Sequence, residues 1–77
     1  MHKLTVRMKD VRSGQIIEAG LDERLSFKEN FALLKQMTEI PLDETRVYDP
    51  YKKIFLDRNI ALLEFHFSSF VLLHLFS

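Results

Sequence analysis

Leu4, Val6 and Met8 alternate with Thr5 and Arg7, the two-residue period of a strand buried on one face. The polar run Asp10-Val11-Arg12-Ser13-Gly14 ends in glycine, which suits a hairpin turn. Ile17, Ala19 and Leu21 then alternate with Glu18 and Gly20, so a second strand returns antiparallel to the first. Ser26-Phe27-Lys28-Glu29 has the form of a capping box, in which hydroxyl and carboxylate reciprocally satisfy backbone amides at a helix start. Phe27, Phe31, Leu34 and Thr38, flanked by Met37, fall within about 40° of one helical face. The pattern predicts a helix of roughly twelve residues that Pro41 brings to an end, because the residue before proline is pushed out of the α region. One apolar stripe on so short a helix is marginal alone and has to lie on a sheet.

Beyond Pro41, Arg46-Val47-Tyr48 reads as a short strand turned by Asp49-Pro50, and Lys52 to Leu56 as another. Ile60 to Phe67 fits neither period, leaving strand, 3₁₀ turn and loop open. Phe70 to Phe76 is a strand apolar on both faces, as expected in the interior of a sheet. The order predicts an α+β fold of the β-grasp type, a mixed four- to five-stranded sheet with one helix packed across it. Residues 1–77 are expected to form a single domain, with the first and last strands parallel through a long crossover.

Eleven basic residues balance eleven acidic ones, and 47% of the chain is apolar. No net charge steers the chain toward nucleic acid or anionic lipid, and the composition is that of a folded domain. The absence of cysteine excludes disulfides, thiolate metal sites and cysteine nucleophiles; with no secretory signal at the N-terminus, a cytoplasmic location is expected. Ile60 to Phe76 is short of the roughly 20 apolar residues of a membrane span, and Glu64, His66 and His74 interrupt it. No direct membrane insertion is expected.

Candidate chemistry is sparse. The three histidines, His2, His66 and His74, with Glu64 and Asp57 nearby in sequence, have no helical i, i+4 spacing that would hold a metal. Ser68 and Ser69 lie near His66 without a nucleophile-elbow pattern. Gly14 and Gly20 are the only glycines, so no phosphate-cradling loop exists, and Lys52-Lys53 is an isolated basic pair. The expectation is a non-enzyme with no catalytic residues, metal or cofactor.

Three segments carry a resemblance. Ile40-Pro41-Leu42-Asp43-Glu44-Thr45-Arg46-Val47 resembles the Ile-Pro-x-Asp-x-x-Arg-Leu segment that follows the helix of ubiquitin. Leu62-Leu63-Glu64-Phe65-His66-Phe67 is similar to its Leu-Ser-Asp-Tyr-Asn-Ile turn, with phenylalanine in place of the tyrosine. Leu72-Leu73-His74-Leu75-Phe76 resembles its Thr-Leu-His-Leu-Val strand. The likeness spans nearly the whole chain, with Ser26 at the helix-capping threonine and about two extra residues between Tyr48 and Leu62.

The departures shape the functional expectation. Covalent modifiers and sulfur carriers of this kind present a flexible Gly-Gly tail to an activating enzyme, whereas this sequence runs from the last strand to Phe76-Ser77. Chain length and ending look like those of the small YukD/EsaB-type proteins of bacterial type VII secretion. That resemblance implies a non-catalytic accessory or regulatory role, with secretion-machinery subunits as protein partners. A modifier or sulfur carrier whose Gly-Gly tail lies beyond this chain, and an adaptor domain of a larger protein, are the alternatives.

If Val71, Leu73 and Leu75 face the helix, Phe70, Leu72, His74 and Phe76 face away. Tyr48 joins them if the ubiquitin register holds, and Tyr48, His74 and Phe76 match positions of its main recognition patch. These five residues are the expected protein-interaction surface. A homodimer through the same face, or its burial under the extra residues or the Phe65–Phe70 turn, are the competing expectations.

Overall fold

The computed structural model describes residues 3–68 and 70–77. Strand β1 (Lys3–Asp10) buries every second residue, with Val6 and Met8 fully enclosed. It pairs antiparallel with β2 (Ile16–Asp22), Leu4 opposite Leu21 and Met8 opposite Ile17. The hairpin closes through Gly14, whose N–H donates to the Asp10 carbonyl (2.7 Å) and whose φ of 79° lies in the left-handed region, where a side chain is strained. The Asp10 carboxylate adds a bond from the Ser13 hydroxyl (2.6 Å).

Helix α1 (Phe27–Leu34) starts on the expected capping box. The Glu29 amide donates to Ser26 Oγ and the Ser26 amide to Glu29 Oε1, both at 3.1 Å. A single 3₁₀ turn, Lys35–Met37, continues it, and the chain leaves helical geometry at Thr38. The helix is therefore shorter than its apolar stripe predicts. Thr38 takes an extended backbone and its Oγ1 accepts the Ile40 amide (3.2 Å), a local bond that competes with helix continuation and turns Ile40 and Leu42 into the core. Met37 is left 81% exposed. The polar member of the buried stripe is instead Asn30, whose amide binds the Asp22 N–H (2.9 Å) and carbonyl (3.0 Å) and pins the helix to the end of β2.

Strand β3 (Arg46–Asp49) pairs antiparallel with β4 (Ile54–Leu56) and with β5 (Phe70–Phe76), while β5 runs parallel to β1. The five-stranded sheet has the order β2-β1-β5-β3-β4, so the strand apolar on both faces lies at its centre. Strand β4 is shorter than predicted because Tyr51 to Lys53 are spent on a turn. The Asp49 carboxylate accepts the Tyr51 and Lys52 amides (2.9 and 3.2 Å), and Lys53 sits at φ 59°. The segment whose period was ambiguous forms a 3₁₀ turn, Leu62–Phe65, with Leu62 buried. Backbone bonds from Leu62 and Leu63 to the carbonyls of Leu25 and Glu23 hold it beneath the helix start. The core between helix and sheet centres on Phe27, Phe31, Leu42, Leu73 and Leu75. Among the described residues no helix is long and apolar enough to cross a membrane.

Candidate functional site

Strand parity decides what the sheet presents on the side away from the helix. Leu73 and Leu75 are buried and Val71 packs against the core. The intervening residues of β5 therefore project outward, Phe70 43% and Leu72 52% exposed, His74 and Phe76 half-buried. Pairing of β3 with β5 sets Tyr48 opposite His74 and Arg46 opposite Phe76. The five residues singled out from the sequence thus occupy one face.

Within that face the rings are organised. Tyr48, Phe55 and Phe76 meet edge to face in all three pairings, with centroids 5.0, 5.7 and 5.6 Å apart. The His74 ring stacks on Tyr48 at 6.4 Å. Such geometry adds about 0.5–1.5 kcal/mol per pair beyond area burial, so these rings form a preassembled aromatic platform. Phe55 is the member that sequence reasoning missed. Its short strand has no readable period, and only the pairing of Phe55 with Tyr48 carries it onto this face. The Arg46 guanidinium lies over the Phe55 ring at 3.9 Å, and that of Arg7 over Phe70 at 5.7 Å. Arg7 also donates twice to Glu18 (2.9 and 3.1 Å). The patch is apolar and aromatic at its centre and cationic along its rim.

The Phe65–Phe67 turn packs on the opposite side. Phe65 and Phe67 lie 6.0 and 6.5 Å from Phe27, within the helix-facing core. Phe55, on β4, joins the patch, and Phe70 and Leu72 stay open.

The polar candidates do not converge. Among the described residues no group of three or more His, Asp or Glu side chains could hold a metal ion. The Ser68 hydroxyl donates to the Phe70 carbonyl (3.0 Å), and His66 caps the 3₁₀ turn at φ 54°. His2 and Ser69 lie outside the described residues. Hydrogen bonds to the Asp22 carboxylate, then its charge, raise the Arg24 pKa above the usual guanidinium value. This is an exposed pair at the end of β2, away from the aromatic face.

An antiparallel hairpin, a capped helix and a last strand inserted parallel beside the first make up a recognisable architecture. The fold is that of ubiquitin. A protein designed de novo on the basis of ubiquitin superposes with a TM-score of 0.74 at 20% identity, covering 96% of this chain and 87% of that one. The ubiquitin-like domain of yeast Ddi1 gives 0.70 at 16% identity, over 97% and 88%. The C-terminal ubiquitin-like domain of mouse tubulin-specific chaperone e gives 0.71 at 19%, over 97% and 86%. No protein-family model and no curated protein matches the sequence, so the likeness establishes the ubiquitin-like fold alone.

Proposed function

We propose that the chain is a non-catalytic ubiquitin-like interaction module that binds a protein partner through the outer face of its sheet. The observation that carries this reading is the continuity of the aromatic platform, Tyr48, Phe55 and Phe76, with the exposed Phe70 and Leu72. A contiguous apolar patch on a small domain is costly to leave in water, and rigid aromatic anchors beside an aliphatic side chain concentrate binding energy. Phe70 and Leu72 supply open contact area, while the preformed rings lose little side-chain freedom on binding.

Within that reading, the partner is a subunit of a bacterial type VII secretion machine and the module is its cytosolic accessory component. Support for this narrower role is the resemblance of the sequence to the small YukD/EsaB-type proteins, together with its ubiquitin-like fold. The experiment is affinity capture from the native cell with the parent chain and with Leu72→Asp. Secretion-machinery subunits retained by the parent and lost from the variant are the expected result. A parent chain and a Leu72→Asp chain that capture the same proteins in equal amount refute the surface. A captured set without secretion subunits that Leu72→Asp still abolishes refutes only the narrower role.

A further inference from the structure

Charge is balanced over the whole chain but not over its surface. On the solvent side of α1 and its 3₁₀ extension, Lys28 and Lys35 are two turns apart on one face, with the small Ala32 between them. Together with Asp43, Arg58 and Asn59 they line one hollow beside the helix. Among the described residues neither lysine has an ion-pair partner, whereas Arg7 and Arg24 each meet a carboxylate at 2.9 Å. Two nearby acids are turned to other tasks. Glu29 closes the capping box, and the Asp57 carboxylate accepts the Asn59 amide (2.8 Å).

Arg58 separates this cluster from an ordinary solvated face of lysines. It is half-buried, and its Nη1 and Nη2 donate to the carbonyls of Asp43 (3.2 Å) and Leu42 (3.3 Å). The guanidinium carbon lies 5.8 Å from the centre of the Phe31 ring. The Arg58 carbonyl in turn accepts the Lys28 amide (3.0 Å), which ties this loop to the helix start. Neutral carbonyls fix the plane of the guanidinium without cancelling its charge. Its Nε is enclosed and has no acceptor among the described residues, an uncommon state for a buried donor. A cation immobilised in this way loses little further freedom when an anion arrives.

Three cationic groups against the single carboxylate of Asp43 leave an excess of two positive charges around the hollow. A phosphate monoester, with about −1.5 to −2 charges near pH 7, matches that excess. The phosphodiesters of nucleic acid carry one charge each and call for an extended basic track, which this compact cluster is not. Half-buried Arg58 is met by a group that projects into the hollow, as a modified side chain does and a flat lipid surface does not.

We propose that Lys28, Lys35 and Arg58 form a receptor for a phosphorylated serine or threonine on a partner protein. Arg58 is the fixed donor, and the two lysines close on the phosphate from the helix. The site lies on the helix side of the sheet, away from the aromatic face, and does not depend on it.

The test is an NMR titration of isotopically labelled protein with a short alanine- and glycine-rich peptide bearing one phosphoserine. The Arg58 Nε–H signal and the Lys28, Lys35 and Asn59 amides are expected to shift. The unphosphorylated peptide, and protein carrying both Lys28→Gln and Lys35→Gln, should bind at least about tenfold more weakly. Both lysines are exposed, so that variant carries the test if Arg58→Lys, which keeps the charge but loses the anchored fork, does not fold. Asp43→Asn should tighten binding about two- to fivefold. Lowering the pH from about 7 to about 5 converts the phosphate to its monoanion and should weaken binding. The proposal is overturned by unmoved signals at millimolar phosphopeptide, by equal binding of the unphosphorylated peptide, or by undiminished affinity in the double lysine variant. It is equally overturned if inorganic phosphate binds as tightly as the phosphopeptide (an adventitious ion only), or if phosphoinositide vesicles or single-stranded DNA are preferred to it.

Discussion

Truncating Leu75 and Leu72 to alanine in parallel tests the strand parity on which the outer surface rests. Leu75 is fully buried, between Asp10 on β1 and Val47 on β3. Losing its three outer carbons forfeits about 2.4 kcal/mol of transfer free energy, and the cavity left in the central strand brings the cost to about 3–4 kcal/mol. A chain of this length has a total stability of roughly 4–12 kcal/mol, so the variant sits near the edge of unfolding. Leu72, three positions back and 52% exposed, loses the same carbons from a site already half in water, for less than about 1 kcal/mol. Urea denaturation followed by far-ultraviolet circular dichroism reads both. With a slope of about 1 kcal/mol per M, the midpoint falls by about 3 M for Leu75→Ala and by less than about 1 M for Leu72→Ala. Should the first variant be unfolded without denaturant, Leu75→Val measures the same ordering at a smaller cost. Equal losses at the two positions would mean that β5 does not alternate between core and solvent as described, and the aromatic face would lose its basis.

Other expectations concern the elements that hold this face in place. Ser26→Ala removes one half of the capping box and should lower stability by about 1 kcal/mol in a thermal melt. Gly14→Ala, at φ 79° with open space around its Cβ, should cost about 1 kcal/mol from backbone strain alone. Gly20→Ala, whose new methyl would meet Lys3 Cδ at an ordinary 3.5 Å, should be close to neutral by the same assay. Phe67→Ala, which removes a ring packed against Phe27, should cost about 2–3 kcal/mol, whereas Phe70→Ala should cost less than about 1 kcal/mol. Similar values for those two would put the turn before β5 on the wrong side of the sheet.

Much of this architecture is legible in the chain because its signals are local. Alternation in β1 and β2 needs only the two-residue pleat, and Ser26 with Glu29 marks the helix start through bonds that span one turn. The double-sided apolar run of β5 betrays its central place, since only a strand flanked on both sides and covered on one face can use it. The helix end was less legible, because a proline marks where a helix must stop and not where it does. Thr38 and the demand to bury Ile40 and Leu42 end it sooner.

What the sequence by itself determined, then, is which residues share a face: Phe70, Leu72, His74 and Phe76 belong together whatever they meet. Tertiary pairing alone decided which neighbours complete that face and which edges stay open. Phe55 joins the platform because β4 docks on β3 in one register, Phe65 and Phe67 fold to the helix side, and β2 keeps an unpaired margin because β1 has its other side filled by β5. Periodicity is a property of the backbone within one strand, whereas the partner across each hydrogen-bonded edge is chosen by packing among segments distant in the chain.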